Sequence, residues 1–199
     1  ADANSGMAYT NVSADVLAKT NLGQDMPVLL NFTPSVVTTS DAGAGVGYTG
    51  IRIRGSDATR VNVTVNGIPI NDSESQGTYW VNMPDMASSV NSVQIQRGVG
   101  TSTNGAGAFG GSVNLQTNTF ESKAYGEINA SGGSFGTLKA TIKAGSGLLN
   151  NRFTVDARVS RIVSDGYIDR ASSNLQSAYL SAAYFTKGAF IRLNYFTGR

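Results

Sequence analysis

The chain has 199 residues, Lys+Arg 15 against Asp+Glu 13, a net charge of +2, 24 Gly, and neither Cys nor His. No cysteine means no disulfide framework, thiolate metal site, cysteine nucleophile or CxxC redox pair; no histidine means no Ser-His-Asp triad and no imidazole-bound zinc. The near-neutral balance argues against a nucleic-acid partner, and no run of about 18 apolar residues could form a membrane helix, although transmembrane β-strands, being short and alternating, stay open.

The length suits one or two domains. The opening ADANSGMAYT lacks the basic and apolar regions of a signal peptide, as expected of a cytoplasmic protein or of a mature or trimmed chain. A short strand and two short helices are predicted first. Ser13 is placed to cap a helix carrying Val16 and Leu17, and Asp25 and Pro27 to start another through Leu30, stopped by Pro34. A glycine-rich loop follows from Ser40 to Gly47.

Strand patterns come next. Ile51 and Ile53 alternate with Arg52 and Arg54, and Val61, Val63 and Val65 with Asn62 and Thr64. Asn66-Gly67 predicts a hairpin turn before Ile68 and Ile70. A polar loop tipped by Tyr79 and Trp80 precedes a strand with Val93 and Ile95; a Gly/Ser/Thr-rich loop from Gly98 to Gly111 leads into Val113 and Leu115.

After Ala124 only two-residue alternation remains. Leu138, Ala140, Ile142 and Ala144 share one face, with Thr137, Lys139, Thr141 and Lys143 on the other; Phe153 to Val159 and Ala189 to Tyr195 repeat the scheme. The segments 125–131 and 175–185 fit it less cleanly. Several segments approach the roughly ten residues a tilted strand needs to cross a bilayer. Tyr125, Phe153, Tyr184, Phe185, Tyr195 and Phe196 sit near strand ends, as interface girdles would. The pattern fits either a soluble antiparallel sheet with one wet face or a membrane barrel. The many alanines on the apolar face favour the barrel, because a soluble core needs more side-chain volume.

Three ordered motifs carry a family resemblance: Ile53-Arg54-Gly55; Val61, Val63, Val65, Asn66, Gly67 and Pro69; and Val93, Ile95, Arg97, Gly98, Ser102, Gly105, Ala108, Gly110, Gly111, Val113 and Asn114. Together they resemble the plug domain of TonB-dependent outer-membrane transporters, most closely Bacteroidetes-type versions. Val99-Gly100 stand where the family usually has Pro, and Asn104 where Tyr is common. The resemblance implies an α+β plug, a mixed β-sheet with short helices, over residues 1–121. Antiparallel strands of a transmembrane β-barrel would occupy 122–199. About five strands fall short of the eight or so that a single-chain barrel needs, so a fragment of a larger barrel, of roughly 22 strands, is expected.

The resemblance further implies active import of a scarce nutrient: ferric siderophore, haem, cobalamin, glycan or peptide. TonB would be the energy-coupling partner, outer-membrane lipid the surroundings, and no cofactor, metal or catalysis would be involved. Apical plug loops would touch ligand, which selects Asp41, Tyr48, Asp72, Glu74, Gln76, Tyr79 and Trp80; the aromatics could stack on a ligand face and the polar groups exchange hydrogen bonds. Arg52, Arg54 and Arg97 would form plug–barrel contacts. The segment Gly105-x-Gly107-x-x-Gly110 matches a dinucleotide fingerprint in letters only, since a strand rather than a helix follows it. Two rivals are a surface-binding protein that transports nothing and, far behind, a carboxylate-pair hydrolase, for which no convergent acid pair is visible.

Overall fold

The computed structural model describes residues 6–100, 107–117 and 121–199; Ser102, Asn104 and Gly105 of the third motif lie outside them. The N-terminal unit runs β1 (Tyr9–Ser13), α1 (Ala14–Thr20), α2 (Met26–Leu29), β2 (Val36–Ser40), β3 (Thr49–Ile53), β4 (Val61–Val65), β5 (Ile68–Pro69), β6 (Val90–Arg97) and β7 (Gly111–Thr117). Its main sheet has the order β1-β6-β7-β4-β5, and β4 and β7 pair in parallel. A separate pair, β2 with β3, lies beside it. Leu17, Leu30, Ile53, Val63, Trp80, Ile95 and Leu115 belong to one buried core.

Three local details differ from the sequence reading. Ser13 occupies the N-cap of α1, but its side chain makes no cap hydrogen bond. Strand β2 was not foreseen, because VVTTS is β-branched without clean alternation. All five residues of β4 are buried, so Asn62 and Thr64 do not form a wet face; Thr64 Oγ1 donates to Asn114 Oδ1 at 2.8 Å across the parallel pair. The Asn66-Gly67 turn forms as expected, with φ of 52° and 83° matching a type I′ hairpin. Gly111 is required by close approach: a Cβ there would sit 2.6 Å from the Gln96 carbonyl oxygen and about 3 Å from Ile53.

The C-terminal half is one antiparallel sheet of β8 (Tyr125–Gly132), β9 (Leu138–Gly145), β10 (Phe153–Ser164), β11 (Ser173–Phe185) and β12 (Phe190–Gly198), in sequence order. Its faces are the reverse of a water-soluble sheet. Thr141, Thr154, Arg158, Ser160, Ser177 and Ser181 are buried, while Ile128, Leu138, Val155, Val159 and Leu193 are exposed. The adjacent residues Thr141 and Ile142 are 1% and 54% accessible. In water this arrangement wastes apolar surface; in hydrocarbon it is the stable one, with lipid on the apolar face and a polar interior. The polar face packs on the N-terminal unit. At one end it turns apolar, where Ile162 and Leu175 close over Val46.

Aromatic residues gather at the opposite end. Phe153 and Tyr184 have ring centroids 4.7 Å apart, and Phe185 and Phe190 5.0 Å. Tyr125 joins this end and donates to Asp156 Oδ1 at 2.8 Å. Aromatic rings at one rim, two of them tyrosines with a polar hydroxyl, suit a membrane–water boundary.

Candidate functional site

The loop between β2 and β3 carries Asp41 and Tyr48. Asp25, at the N-cap of α2, anchors it. The Asp25 backbone N–H donates to the Gly45 carbonyl at 2.9 Å, and its carboxylate accepts from Thr49 Oγ1 at 2.9 Å. Burial pushes the Asp25 carboxyl up to about 7, opposed by hydrogen bonds from Thr49 and the Gly47 backbone. The Ala42 carbonyl accepts from Tyr167 N–H at 2.9 Å, so this loop leans on the β10–β11 connection. Gly43 (φ 70°) lets the Tyr167 ring approach, since a Cβ would meet it at 3.0 Å. Asp41 N–H donates to the Tyr48 carbonyl, and the two residues line a cavity of about 360 Å³ with Val81 and Ser173. The Tyr48 side chain is exposed.

The second group lies in the 71–80 loop. Asn71 splices the loop to β4: its Oδ1 accepts from Val63 N–H at 2.8 Å, and its Nδ2 donates to the Val61 and Gln76 carbonyls. Asp72 accepts from Ser75 N–H at 2.7 Å, Ser75 Oγ at 2.9 Å and Glu74 N–H at 3.1 Å. Those donors, Ser75 first, hold its carboxyl below the usual range. Tyr79 donates to Ser75 Oγ at 3.2 Å, and Gln76 Nε2 donates to the Ser73 carbonyl. Asp72, Glu74, Gln76 and Tyr79 thus form a hydrogen-bonded set in which Asp72 is half-buried and the other three are exposed. Trp80 stands apart, 2% accessible within the core, where its ring packs rather than faces solvent.

Arg52 is exposed on β3. Arg54 is not inside a strand as its alternation suggested: β3 ends at Ile53, and Arg54 turns out of it with φ of 53°. Arg97 Nη1 donates to Thr10 Oγ1 at 2.9 Å, within the N-terminal sheet.

One salt-bridged contact between the two halves was missed by sequence reasoning. Asp85 precedes a 3-10 turn, Met86–Ser89, with a left-handed φ of 52°. Its carboxylate meets Lys139 Nζ at 2.8 Å and Arg158 Nη1 at 3.2 Å, and all three side chains are at most 4% accessible. Thr141 Oγ1 donates to Oδ2 at 2.7 Å, Ser160 Oγ donates to the same oxygen, and Ser88 Oγ and Asn21 Nδ2 donate to Oδ1 at 2.6 and 3.1 Å. Arg158 also donates to the Asp85 carbonyl at 2.8 Å. Burial alone would raise the Asp85 carboxyl; the two cations and the hydroxyls outweigh it and hold it at about 2. A buried ion triad of this kind adds little net stability, but it penalises every misplaced docking, because separating it strands charges in a dry interface. A faint sequence signal existed: long cations alternating with Ser and Thr on one face of successive strands.

Among the described residues no cluster of three or more acidic side chains could hold a metal.

Residues 2–112 match the family model described as TonB-dependent Receptor Plug Domain. Among solved structures the chain is similar to the pyoverdine outer membrane receptor FpvA from Pseudomonas aeruginosa PAO1, with a TM-score of 0.78 and 14% identity over 96% of this chain and 27% of that one. It is similar to the ferric yersiniabactin uptake receptor FyuA from Yersinia pestis, with a TM-score of 0.74 and 17% identity over 98% of this chain and 31% of that one. It is also similar to the copper transporter OprC, with a TM-score of 0.73 and 17% identity over 100% of this chain and 32% of that one. At these identities the likeness is one of fold. The chain spans about a third or less of the structures it matches. A search of curated protein sequences gives no match.

Proposed function

The chain belongs to the TonB-dependent receptor plug-domain family of the bacterial outer membrane, and on that premise we propose that it forms the gate and part of the wall of an active importer. The N-terminal unit is the plug, and β8–β12 are a sector of the barrel. The observation that carries the reading is the reversed sheet: an apolar face turned outward, and a polar face holding the plug through Asp85, Lys139 and Arg158. A solute-conducting wall has to be polar inside, and a movable gate has to be held by contacts that can separate.

The nutrient docks on the apical loops. Tyr48 and Tyr79 offer exposed phenol rings for stacking, while Asp41, Asp72, Glu74 and Gln76 exchange hydrogen bonds. TonB pulls on a segment N-terminal to the plug, the plug shifts, and the solute passes to the periplasm with no covalent change. The substrate class we propose is a ferric siderophore or another large, scarce metal complex, in keeping with what FpvA, FyuA and OprC are named for. Arg52, Arg54 and Arg97 are proposed as further plug–barrel contacts.

The binding step is tested with a panel of ferric siderophores and quenching of intrinsic fluorescence, on the whole receptor in detergent. A stacking aromatic contributes about 0.5–1.5 kcal/mol, so Tyr48→Ala and Tyr79→Ala should each weaken binding by about two- to tenfold. Binding that neither substitution changes would remove the apical loops from the site.

A further inference from the structure

The outward face of the β8–β12 sheet is uncharged except along one row. Strand pairing places Ala140, Arg161, Gln176 and Arg199 side by side across β9–β12: Ala140 faces Arg161, Arg161 faces Gln176, and Gln176 and Arg199 exchange backbone hydrogen bonds at 2.7 and 2.9 Å. All four residues are exposed. The next row on the same face is Ile128, Ile142, Val159, Ala178 and Thr197. Following the register along the sheet, no outward position of β8–β12 holds Asp, Glu or Lys, and Arg161 and Arg199 are its only cations.

The row lies far from the aromatic rim. From Phe153 to Arg161 is about 27 Å of strand, or roughly 20 Å of height at a tilt of about 40°, within an apolar band about 25 Å tall. Val163 and Leu138, paired with each other, continue the apolar face beyond it. A cation in this position is disfavoured without a counter-ion. Arg161 Nε donates to Asn174 Oδ1 at 3.3 Å, which supplies no charge. The β10–β11 connection beyond the strand ends carries Asp165, Asp169 and Arg170, but among the described residues both ion pairs belong to Asp85. Two shallow grooves flank Arg161. One, of about 580 Å³, runs past Ile142, Val159, Ala178 and Thr197 to Arg199. The other, of about 630 Å³, runs past Ala130, Gly132, Leu138 and Val163. Ala140 and Arg161 line both. Lys139 also borders the second, but its ammonium turns inward to Asp85.

From this juxtaposition we propose that Arg161, Gln176 and Arg199 bind the phosphate head group of an anionic membrane lipid, whose acyl chains lie in the two grooves. The inference rests on the reading of β8–β12 as a barrel sector. The row sits toward the end where Tyr167 meets the Ala42 loop, which that reading turns to the cell exterior, so the lipid belongs to the outer leaflet. The two arginines stand two strand spacings apart, about 10 Å, and each guanidinium can grip phosphate oxygens in a bidentate way. The Gln176 amide between them adds a neutral donor. The alanines and the glycine floor the grooves without filling them, and Ile142, Val159, Leu138 and Val163 give acyl chains apolar walls. Charge selects this occupant: a second copy of the same face would bring two more arginines against these two, and a neutral lipid would leave both cations without an anion.

The test uses the whole receptor, otherwise free of thiols, in nanodiscs of dioleoylphosphatidylcholine. Thr197→Cys, in the first groove, carries a bimane label; Leu193→Cys, on the same face of β12 but nearer the aromatic rim, carries it in a control. Quenching is titrated with acyl-brominated phosphatidylglycerol and with acyl-brominated phosphatidylcholine. A basic group near an anionic surface favours it about fivefold, so at Thr197→Cys the anionic lipid should associate about thirtyfold more tightly than the neutral one. Arg161→Gln and Arg199→Gln should each cut that ratio about fivefold, and together bring it close to one. At Leu193→Cys the ratio should be near one throughout. Because the readout compares two lipids on one protein, a loss of folded receptor does not change it. Equal quenching by the two lipids at Thr197→Cys, or a preference that survives the double substitution, would overturn the lipid site and leave the barrel reading standing. A preference abolished by 50 mM inorganic phosphate would make the row a site for soluble anions and overturn the lipid as occupant. No quenching by either lipid at either label would mean that protein covers this face, and both readings would fall.

Discussion

Replacing Asp85 by asparagine probes how the plug is held. The carboxylate is fully buried and carries two cations, Lys139 and Arg158, which are themselves 4% and 3% accessible. Asparagine keeps the shape and one acceptor but removes the charge, so both cations become uncompensated in a dry interface. Breaking a buried pair in this way costs about 3–5 kcal/mol. Proton linkage gives an independent lower figure. The carboxyl is held at about 2 against an ordinary 3.8, which at about 1.4 kcal/mol per unit is on the order of 2 kcal/mol. Because the folded value is depressed, that stabilisation is complete above pH 3.8 and is lost as pH falls toward 2. The mutational figure is the larger because the substitution also disturbs the hydroxyl donors. Amide exchange of residues 80–97, in the whole receptor under native conditions, reads the opening of this contact. A loss of about 3–5 kcal/mol accelerates exchange between a hundredfold and a few thousandfold where opening is the limiting event. Adding Lys139→Met to Asp85→Asn should recover part of the loss, with a coupling above about 1 kcal/mol. Exchange within threefold of wild type, with additive single effects, would refute the idea that this triad holds the plug.

Three further predictions follow from the same structure. Asp25 has its carboxyl raised to about 7 by burial; the folded state then binds the extra proton, so stability falls as pH rises from about 4 to about 7. That span is worth roughly 4 kcal/mol, and Asp25→Asn should flatten it in melting curves recorded across that range. Ile142→Arg places a charge on the lipid face and should cost about 2–4 kcal/mol in bilayer folding titrations; a change under about 0.5 kcal/mol would fit an exposed site on a soluble sheet. Gly111→Ala forces a Cβ onto the Gln96 carbonyl oxygen at 2.6 Å and should cost about 1–3 kcal/mol, seen as faster amide exchange in β6 and β7.

What could be read from the sequence divides along physical lines. Strand faces in the second half were legible because the side-chain period of a strand is two, so Leu138, Ala140 and Ile142 had to share one face. Whether that face met water or lipid was not fixed by the period, and the small-residue argument decided it. The Asn66-Gly67 hairpin was legible because positive φ at both positions is a local property. Arg54 was misplaced because alternation continues one residue past the end of β3, where the backbone turns left-handed. Asp85 was invisible for another reason. It is one acid among 13 acidic residues, and its partners lie 54 and 73 positions away by numbering, on strands whose alignment with the turn exists only in the assembled fold. Asp25 was read as a helix start, which it is; that its carboxylate also anchors the β2–β3 loop depends on Thr49 arriving from β3.

The central claim, that this plug gates a TonB-driven importer, is met most directly by whole-cell uptake of radio-iron-labelled ferric siderophores. The cells carry the receptor as their sole importer, and binding and accumulation are compared with TonB present and deleted. The account predicts saturable surface binding in both strains and accumulation only where TonB is present, abolished by a protonophore. Accumulation that persists without TonB, or binding that never leads to TonB-dependent accumulation, contradicts it; the second result would make the chain part of a surface-binding protein.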